Sequence, residues 1–390
     1  MNSMQSFHVN WNYPTSVLVG DGRWREVVQC CQQLGVTAPL LVTDPGLAAL
    51  PMTKQITEHC VEQGLQLAVF SQVKGNPTSA NVDAGVSVFH QGHHDGVIAL
   101  GGGSALDAGK AIALMVGQSQ PIWAFEDVGD NWLRVNVDGM VPVVAIPTTA
   151  GTGSEVGRSS VITDAANKVK KIIFHPDMLP AKVILDPSLS TGLPAPLTAA
   201  TGMDALSHSL EAYCSNFYHP MAEGIALEGI RLVKEFLPRA VADGHDLEAR
   251  TNMLVASAMG ATAFQRGLGA MHAIAHSLGA LYDAHHGMLN AILMPYVLKA
   301  NQSVIEHRLE RLARYLDLSQ PSFDGFLNWV LQLRLEVGIP HSLNALNIDD
   351  SQARKVGEMS VADAAAGGNP IAFSAEQYRD LFTRAVSGSL

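Results

Sequence analysis

Four histidines lie close together in one apolar stretch of the chain. His272, His276, His285 and His286 fall within MHAIAHSLGALYDAHHG, although the whole sequence has only 15 histidines. On a helix the first two would share a face, because residues four apart are neighbours there, and both imidazoles could then bind one metal ion. The HExxH pattern of zinc proteases is absent. Histidines that are simply satisfied on a half-buried helix face are the alternative explanation of this spacing.

A second pair of potential metal ligands occurs in TGMDALSHSLEAY, where Asp204 precedes His208 by four residues. An aspartate and a histidine that face an apolar core are unfavourable unless they are paired or coordinate a metal. Two such pairs on separate helices, followed by His285 and His286, favour one site with nitrogen and oxygen ligands. Fe²⁺, Zn²⁺ or Mn²⁺ would suit it, and with a single carboxylate the ion would remain an effective Lewis acid. The spacing does not determine which imidazoles bind.

A glycine-rich turn joins a strand pattern to a helix pattern in VIALGGGSALDAGKAIA. Residues 101–103 are all glycine, and we expect Ser104 to cap the helix, with Asp107 completing a capping box. The N-terminus of such a helix binds anions such as a pyrophosphate. The GxGxxG fingerprint of dinucleotide-binding proteins is absent, because Leu106 stands at the position of its third glycine. A tight turn without a ligand is therefore the alternative.

Polar residues follow other predicted strands in the same half of the chain. Asp44 ends the strand pattern APLLVTD, where a carboxylate can accept from the ribose hydroxyls of NAD and repel the 2′-phosphate of NADP. Asn76 lies in KGNPT after the next strand pattern, and IPTTAGTGSE follows another. The carboxyl ends of strands line the ligand crevice of open α/β sheets, so these residues favour a nucleotide site. The sequence GTGS is not the GxSxG nucleophile elbow of hydrolases.

The arrangement of these motifs predicts two domains. Residues 1–186 alternate short β-branched runs with helical patterns, which is typical of a doubly wound parallel sheet. A Pro- and Gly-rich segment follows, and residues 187–390 consist mainly of long Ala-, Leu- and Met-rich helical patterns. We therefore expect an α/β N-terminal domain that carries the nucleotide site, and an all-α C-terminal domain that carries the metal ligands.

Bulk properties narrow the class of protein further. The formal net charge of −11 and the absence of a Lys/Arg run argue against a nucleic-acid partner. No run of about 20 apolar residues occurs, so we expect no membrane span. The first twenty residues lack the basic and apolar regions of a signal peptide. Four cysteines without a CxxC pair indicate a reducing compartment, and we expect a cytoplasmic protein with buried thiols.

Taken together, the motifs resemble those of the iron-containing (group III) alcohol dehydrogenases nearly from end to end. The matching segments are GGGSALDAGKAIA, PTTAGTGSEV, VITD, ATGMDALSHSLEAY, GAMHAIAHSLGALYDAHHGMLNAILMP, VGIP and GGNPIAF. The resemblance implies the dehydroquinate synthase-like fold of that family, with a Rossmann-like NAD-binding domain, an all-helical metal-binding domain and an active site in the cleft between them. It also implies a homodimer that transfers hydride between an alcohol and NAD. The family pattern implies Fe²⁺, with Zn²⁺ or another divalent ion as alternatives.

The same resemblance assigns roles to individual residues. The metal ligands it implies are Asp204, His208, His272 and His286. His276 matches a histidine that faces substrate and cofactor, and His285 matches no residue of known role. The NAD-contacting positions it implies are Asp44, Asn76, Gly102, Gly103, Ser104, Thr148, Thr149 and Lys170.

Three departures from the family pattern leave the substrate open. They are Gly157 in place of Thr, Ser277 in place of Pro or Ala, and Ile371 in place of Arg. One branch of similar appearance oxidises C8 of the sugar acid 3-deoxy-manno-octulosonate, which is the alternative within the family. A lyase of the dehydroquinate synthase type would require Lys and Arg residues for its anionic substrate and a Glu as its first ligand. A non-catalytic nucleotide-binding protein is a further alternative, which a lack of turnover across a broad panel of alcohols would favour.

Overall fold

The computed structural model describes residues 9–11 and 15–390 of the chain. The other residues of the N-terminus, over which the absence of a signal peptide is predicted, lie outside the described part. In the described part no helix has the length and apolar character that are needed to cross a bilayer.

The chain forms two compact units. The first comprises the described residues up to Thr149 together with Gly153–Gly192, and the second comprises Ala150–Thr152 and Leu193–Leu390. The chain thus enters the second unit a few residues after the boundary predicted at 186–187, and it also contributes a short segment to that unit earlier, between two parts of the first.

The first unit is built on a mostly parallel sheet with helices on both faces. Within the described residues its strands are β1 (Val9–Trp11), β2 (Ser16–Val19), β3 (Pro39–Val42), β4 (Ala68–Phe70), β5 (Gly96–Gly101), β6 (Val143–Pro147), β7 (Ser159–Asp164), β8 (Val169–Phe174) and β9 (Lys182–Leu185). Its α-helices there are α1 (Val27–Gln33), α2 (Pro45–Ala48), α3 (Pro51–Glu62), α4 (Ser79–Gln91) and α5 (Gly103–Met115).

Seven of the described strands form one sheet in the order β1-β2-β9-β6-β5-β3-β4, and each pair is parallel except β1 with β2. The central strands are fully buried because helices cover both of their faces. Ile98 and Leu100 of β5 pack in one cluster with α1 and α3, whereas α5 lies so close to Ala99 that a Cβ on Gly109 would clash with it. The expected doubly wound α/β region is confirmed.

A two-stranded antiparallel hairpin of β7 and β8 stands apart from this sheet and was not predicted. Its first strand alternates half-buried and buried residues, and Lys168 at its tip adopts a left-handed conformation with φ 52°. The sequence does not predict this hairpin, because a strand with only one buried face gives a short and weak apolar pattern.

The second unit contains only helices and irregular segments. Its α-helices are α6 (Ala195–Cys214), α7 (Pro220–Ala242), α8 (Leu247–Ala263), α9 (Ala270–Tyr282), α10 (His286–Tyr315), α11 (Phe323–Glu336), α12 (Ala353–Ala362) and α13 (Ala375–Ser387). Helix α6 is buried along nearly its whole length and packs against α7, α8 and α10. Its many Ala, Gly and Ser residues permit this close packing on several sides. The expected all-helical region is confirmed, as is the burial of four free cysteines.

Candidate active site

Four side chains from three helices of the second unit meet at one point. They are Asp204 and His208 of α6, His272 of α9 and His286 of α10, and one ligand atom from each lies within 4.8 Å of the others. The Asp204 Oδ1 atom is 4.0 Å from His272 Nε2 and 3.7 Å from His286 Nε2. The structure therefore brings together the four residues that the family resemblance implies as metal ligands.

Close packing of α10 on α6 makes this meeting possible. A Cβ on Gly287 would lie 2.5 Å from the carbonyl oxygen of Ala200 and 3.1 Å from the Cβ of Asp204. Any side chain at this position would push the start of α10 away from α6. The glycine after His286 therefore permits the contact that places His286 beside Asp204.

Hydrogen bonds at the Nδ1 atoms orient two of the imidazoles. His208 Nδ1 lies 3.2 Å from the carbonyl oxygen of Gly151, and His272 Nδ1 lies 2.7 Å from Glu211 Oε2. An Nδ1–H that donates to an oxygen leaves the Nε2 lone pair free for a cation. The two rings are stacked with their centroids 4.7 Å apart. Both Nε2 atoms therefore keep a lone pair, and that of His272 lies 3.1 Å from Asn290 Nδ2.

The chemistry of these groups fits a divalent metal ion. Burial, assisted by the neighbouring His208, holds the pKa of His272 well below its usual range, so this imidazole is neutral and can act as a ligand. Asp204 is buried, and the amide of Asn290 and the hydroxyl of Ser207 are its side-chain hydrogen-bond donors. Nitrogen and oxygen ligands about 2.1 Å from one tetrahedral ion lie roughly 3.4 Å apart. The separations of 3.7 and 4.0 Å from Asp204 Oδ1 are slightly wider than that, so the side chains would move inward by a few tenths of an ångström to bind an ion.

His276 lies beside this cluster and has a different partner. Its ring stacks on that of His286 at a centroid distance of 5.3 Å, and its Nδ1 lies 3.0 Å from Asp363 Oδ2. Although burial alone would raise the pKa of Asp363, His276 and the N–H of Ala365 hold it below its usual range. An ionised Asp363 thus accepts from His276 Nδ1 and leaves the Nε2 atom for another contact.

His285 takes no part in the cluster. It is exposed, and its Nδ1 accepts a hydrogen bond of 3.3 Å from the backbone N–H of Met288 at the start of α10. His285 is therefore the N-cap of α10, whereas the adjacent His286 is the first residue of the helix. The structure separates the roles of two neighbouring histidines that the sequence left unresolved.

Three polar residues at this site were not predicted. Glu211 follows His208 by three residues and Asn290 follows His286 by four, so each lies on the same helix face as a predicted ligand. The Asn290 Nδ2 atom lies 2.8 Å from Asp204 Oδ1 and 3.1 Å from the Nε2 atoms of His272 and of His286. Helical spacing could have identified these two residues.

Asp363 could not have been found in that way, because it lies 87 residues from His276 in the sequence. A local spacing rule carries no information over that distance.

The predicted cofactor residues of the first unit gather at the carboxyl edge of its sheet. Gly101 pairs with Pro147 in the register of β5 with β6, which brings Thr148 beside the glycine turn. A Cβ on Gly102 would lie 3.2 Å from Thr149 Oγ1, and a Cβ on Gly101 would lie 3.9 Å from Asp44 Oδ2.

The remaining two predicted positions are Asn76, in the segment after β4, and Lys170, in the separate hairpin. Ser104 Oγ donates a hydrogen bond to the carbonyl oxygen of Gly75, which precedes Asn76. Lys170 of β8 is opposite Thr163 of β7, whose N–H donates to the carbonyl oxygen of Pro77 over 2.7 Å. The structure therefore brings Asn76 and Lys170 near each other and near the glycine turn.

The expected capping box at this turn is wrong. Helix α5 begins at Gly103 with Gly102 as its N-cap, and no side chain caps it. Ser104 lies inside the first turn. The carboxylate of Asp107 accepts from Ser154 Oγ over 2.5 Å and from the N–H of Val161 over 2.9 Å instead.

The first turn of α5 has no side-chain cap, so its backbone N–H groups can donate hydrogen bonds to a phosphate. The glycines of the turn leave room for the phosphate to approach the backbone. Asp44 itself is the N-cap of α2, where its Oδ1 accepts from the N–H of Leu47 over 3.0 Å. The edge thus has the donors and the carboxylate that a dinucleotide with a free ribose requires.

Comparison with known proteins shows the same relationship in both halves of the chain. The family model described as "Iron-containing alcohol dehydrogenase" matches residues 14–187. The model described as "Fe-containing alcohol dehydrogenase family, C-terminal" matches residues 198–386.

Individual relatives cover almost the whole chain. A 4-hydroxybutyrate dehydrogenase from Cupriavidus necator is 36% identical over 366 residues, which is 91% of this chain and 94% of that protein. The crystal structure of a 1,3-propanediol oxidoreductase is 34% identical with a TM-score of 0.90, and the match covers 98% of this chain and 100% of that one. A sulfoacetaldehyde reductase from Bifidobacterium kashiwanohense in complex with NAD⁺ is 27% identical with a TM-score of 0.86, covering 99% and 100% of the two chains.

Proposed function

The chain belongs to the iron-containing alcohol dehydrogenase family, and from that premise we propose how its residues carry out the family reaction. The protein is a metal-dependent oxidoreductase that interconverts an alcohol and an aldehyde or ketone with NAD(H). The observation that carries the assignment of the site is the meeting of one carboxylate oxygen and three imidazole nitrogens within 4.8 Å in the helical unit.

We propose that Asp204, His208, His272 and His286 hold the metal, and that it is Fe²⁺. When bound, a divalent ion acts as a Lewis acid that makes the substrate hydroxyl easier to deprotonate. The residues support this in two ways. Asp204 is the only carboxylate among the four, so the site does not neutralise a divalent ion completely. The neutral His272 leaves its Nε2 lone pair for coordination.

His276 is the residue that we propose to move the substrate proton. Its Nδ1 lies 3.0 Å from Asp363 Oδ2, which fixes the ring and stabilises positive charge on it. The Nε2 atom is then the one that can accept a proton. Because the ring stacks on His286, a substrate that reaches the ligand cluster also comes close to His276.

The carboxyl edge of the sheet is our proposed site for NAD. The residues that would hold the cofactor are Asp44, Asn76, Gly102, Gly103, Ser104, Thr148, Thr149 and Lys170. The uncapped first turn of α5 would receive the pyrophosphate, and Asp44 would accept from the ribose hydroxyls. These residues would hold NAD⁺ as the hydride acceptor for the alcohol carbon.

The substrate class that we propose is a short primary alcohol, or the aldehyde formed from it. The relatives reported above are named for 4-hydroxybutyrate, 1,3-propanediol and sulfoacetaldehyde, which are all small molecules with a reacting group at a chain end. These names do not favour oxidation of 3-deoxy-manno-octulosonate or the lyase alternative.

Reconstitution of the metal-stripped protein tests this function. Samples loaded anaerobically with Fe²⁺, Zn²⁺ or Mn²⁺ are supplied with NAD⁺ and a panel of primary alcohols, diols, polyols and sugar acids, and NADH is followed by its absorbance. We expect turnover of short primary alcohols or diols only with metal, and fastest with Fe²⁺. A protein that binds metal and NAD⁺ but turns over nothing on the panel would contradict the proposal and favour a non-catalytic nucleotide-binding protein.

We also propose that the protein is a cytoplasmic homodimer. Four free and buried thiols suit a reducing compartment. Sedimentation velocity should give about twice the chain mass of 41.5 kDa, and a single species at the chain mass would contradict the dimer.

A further inference from the structure

A buried carboxylate connects two of the ligand-bearing helices behind the metal site. Glu211 lies on α6, is only 5% exposed, and accepts three hydrogen bonds of 2.7 Å from α9 or its N-cap. Its Oε2 accepts from the N–H of Gly269 and from His272 Nδ1, and its Oε1 accepts from the N–H of Met271. The carboxylate therefore contacts both the backbone and the ligand side chain of α9.

The two helices approach closely at the N-cap of α9, where a residue other than glycine would displace the Glu211 carboxylate. A Cβ on Gly269 would lie 2.9 Å from Glu211 Oε1. Helix α9 has no side-chain cap from its own sequence. Glu211 thus satisfies N–H groups at the first turn of α9, where negative charge is favourable.

We propose, on the basis of the metal site assigned above, that Glu211 is a positioning residue that sets the tautomer and orientation of His272 for the metal. Only the Nδ1–H tautomer of His272 can donate to the carboxylate, so the Nε2 atom faces Asp204 as a lone pair. A carboxylate behind a ligating imidazole also increases its strength as a ligand. The two hydrogen bonds to backbone N–H groups hold the carboxylate in place, so the orientation of His272 is coupled to the packing of α6 on α9.

A carboxylate is needed here because acceptors are needed at both oxygen positions. In Glu211→Gln the amide has one oxygen, and its NH₂ group must face either Met271 N–H or the pair formed by Gly269 N–H and His272 Nδ1. Either arrangement leaves a backbone N–H facing the NH₂ group, and the second also reverses the tautomer of His272. The size of the side chain is unchanged, so the substitution removes the acceptor without leaving a cavity.

Metal affinity is the direct measurement. The dissociation constant for Zn²⁺ is determined by competition with a chromophoric chelator for the wild-type protein, for Glu211→Gln and for the matched control Glu155→Gln. Glu155 is another buried glutamate, 1% exposed, and lies in the first unit, so its substitution tests the effect of losing a buried carboxylate in general. We expect about 10- to 100-fold weaker binding for Glu211→Gln and no change for Glu155→Gln. The Co²⁺-loaded protein should also show an altered visible spectrum only for Glu211→Gln.

A second measurement reads the tautomer in the wild-type protein itself, and a variant serves only to assign the signals. Nitrogen chemical shifts of ¹⁵N-labelled histidine in the wild-type protein without metal report which ring nitrogen carries the proton. We expect His272, assigned from the signals that His272→Ala removes, to carry its proton on Nδ1. A proton on Nε2 would overturn the proposal, and so would wild-type Zn²⁺ affinity in Glu211→Gln. If the wild-type protein itself does not bind Zn²⁺, the failure lies in the proposed metal site and not in the role of Glu211.

Discussion

The partner of each Nδ1 atom distinguishes the histidines of this site. In three of them this atom lies within hydrogen-bond distance of an oxygen. The pairs are His208 with Gly151, His272 with Glu211 and His276 with Asp363. The acceptor fixes which nitrogen remains available, and the position of the helix decides where that nitrogen lies. Spacing alone identifies candidate imidazoles but not their orientation.

Substitution of single histidines separates binding from turnover. We expect His272→Ala and His286→Ala to lose both metal and activity, because each removes one of four ligands. His276→Ala should retain the metal but lower kcat by about 10²- to 10⁴-fold, the usual contribution of a positioned acid or base. Metal content by atomic emission and initial rates of NADH formation provide the measurement. If His276→Ala contained less metal than His286→Ala, the proposed roles of the two residues would be wrong.

Asp44 is the residue that we expect to discriminate between NAD and NADP. Its Oδ2 lies near the glycine turn, where a 2′-phosphate would meet a like charge. Asp44→Ala should raise kcat/KM for NADP⁺ by about tenfold or more relative to NAD⁺, since a difference of about 1.4 kcal/mol corresponds to a factor of ten. The same variant loses the cap of α2, so its melting temperature is measured as a control. An unchanged ratio of the two cofactors would show that Asp44 does not read the ribose.

At the level of elements, a buried charge cluster joins α5 to the segment after β6. Lys110 Nζ donates to the carbonyl oxygens of Ser154 and Ser159 and lies 3.3 Å from Asp107 Oδ1. Glu155 is buried nearby, and its Oε1 has no hydrogen-bond partner in the structure. The cluster explains why Asp107 does not cap its own helix, because its carboxylate accepts from residues of other elements instead.

Glu155 should make stability depend on pH. Burial raises its pKa from 4.5 to about 7, against the smaller opposing effect of Lys110. For a carboxyl whose pKa is raised by folding, the contribution to stability is complete below about pH 4.5 and is lost as the pH rises through 7. We therefore expect the melting temperature of Glu155→Gln to rise relative to that of the wild type as the pH increases from 5 to 8. The change corresponds to about 1–3 kcal/mol in the free energy of unfolding. A difference between the two proteins that does not change with pH would contradict this.

For the whole molecule, each ligand should protect a different set of amides. Zn²⁺ alone should slow hydrogen exchange in the regions of residues 204–211 and 269–290, because it joins three helices of the second unit. NAD⁺ alone should slow exchange near residues 101–106, where it would cover the first turn of α5. Exchange measured by mass spectrometry with each ligand separately provides the comparison. Protection of the glycine turn by Zn²⁺ alone would contradict the assignment of the metal and the cofactor to different units.

The sequence predicted most of the fold and the grouping of the ligands, for identifiable physical reasons. Fully buried strands such as β3 and β5 give uninterrupted apolar runs, and the four-residue spacing of Asp204 and His208 places both on one helix face. The half-exposed hairpin of β7 and β8 gives no comparable signal.

Two other features depended on contacts between distant residues. Ser104 was expected to cap α5, but its hydroxyl donates to the carbonyl oxygen of Gly75. Asp363 reaches His276 across 87 residues. Local sequence patterns predict helices and strands from their periodicity. They do not identify the distant residue that a side chain contacts in the folded chain.

The short connection between α9 and α10 limits the sequence changes that leave His286 in place. Helix α9 ends at Tyr282, Asp283 follows in a left-handed conformation with φ 53°, and α10 begins at His286 behind the cap at His285. The length of this connection therefore determines that His286, and not His285, lies among the metal-binding residues. Exchange of His285 for Ser or Asp would preserve the cap, whereas deletion of one residue would move His286 into the capping position and put a glycine in its place. In this chain the connection can therefore change in composition without displacing His286, whereas a change in its length would displace that residue.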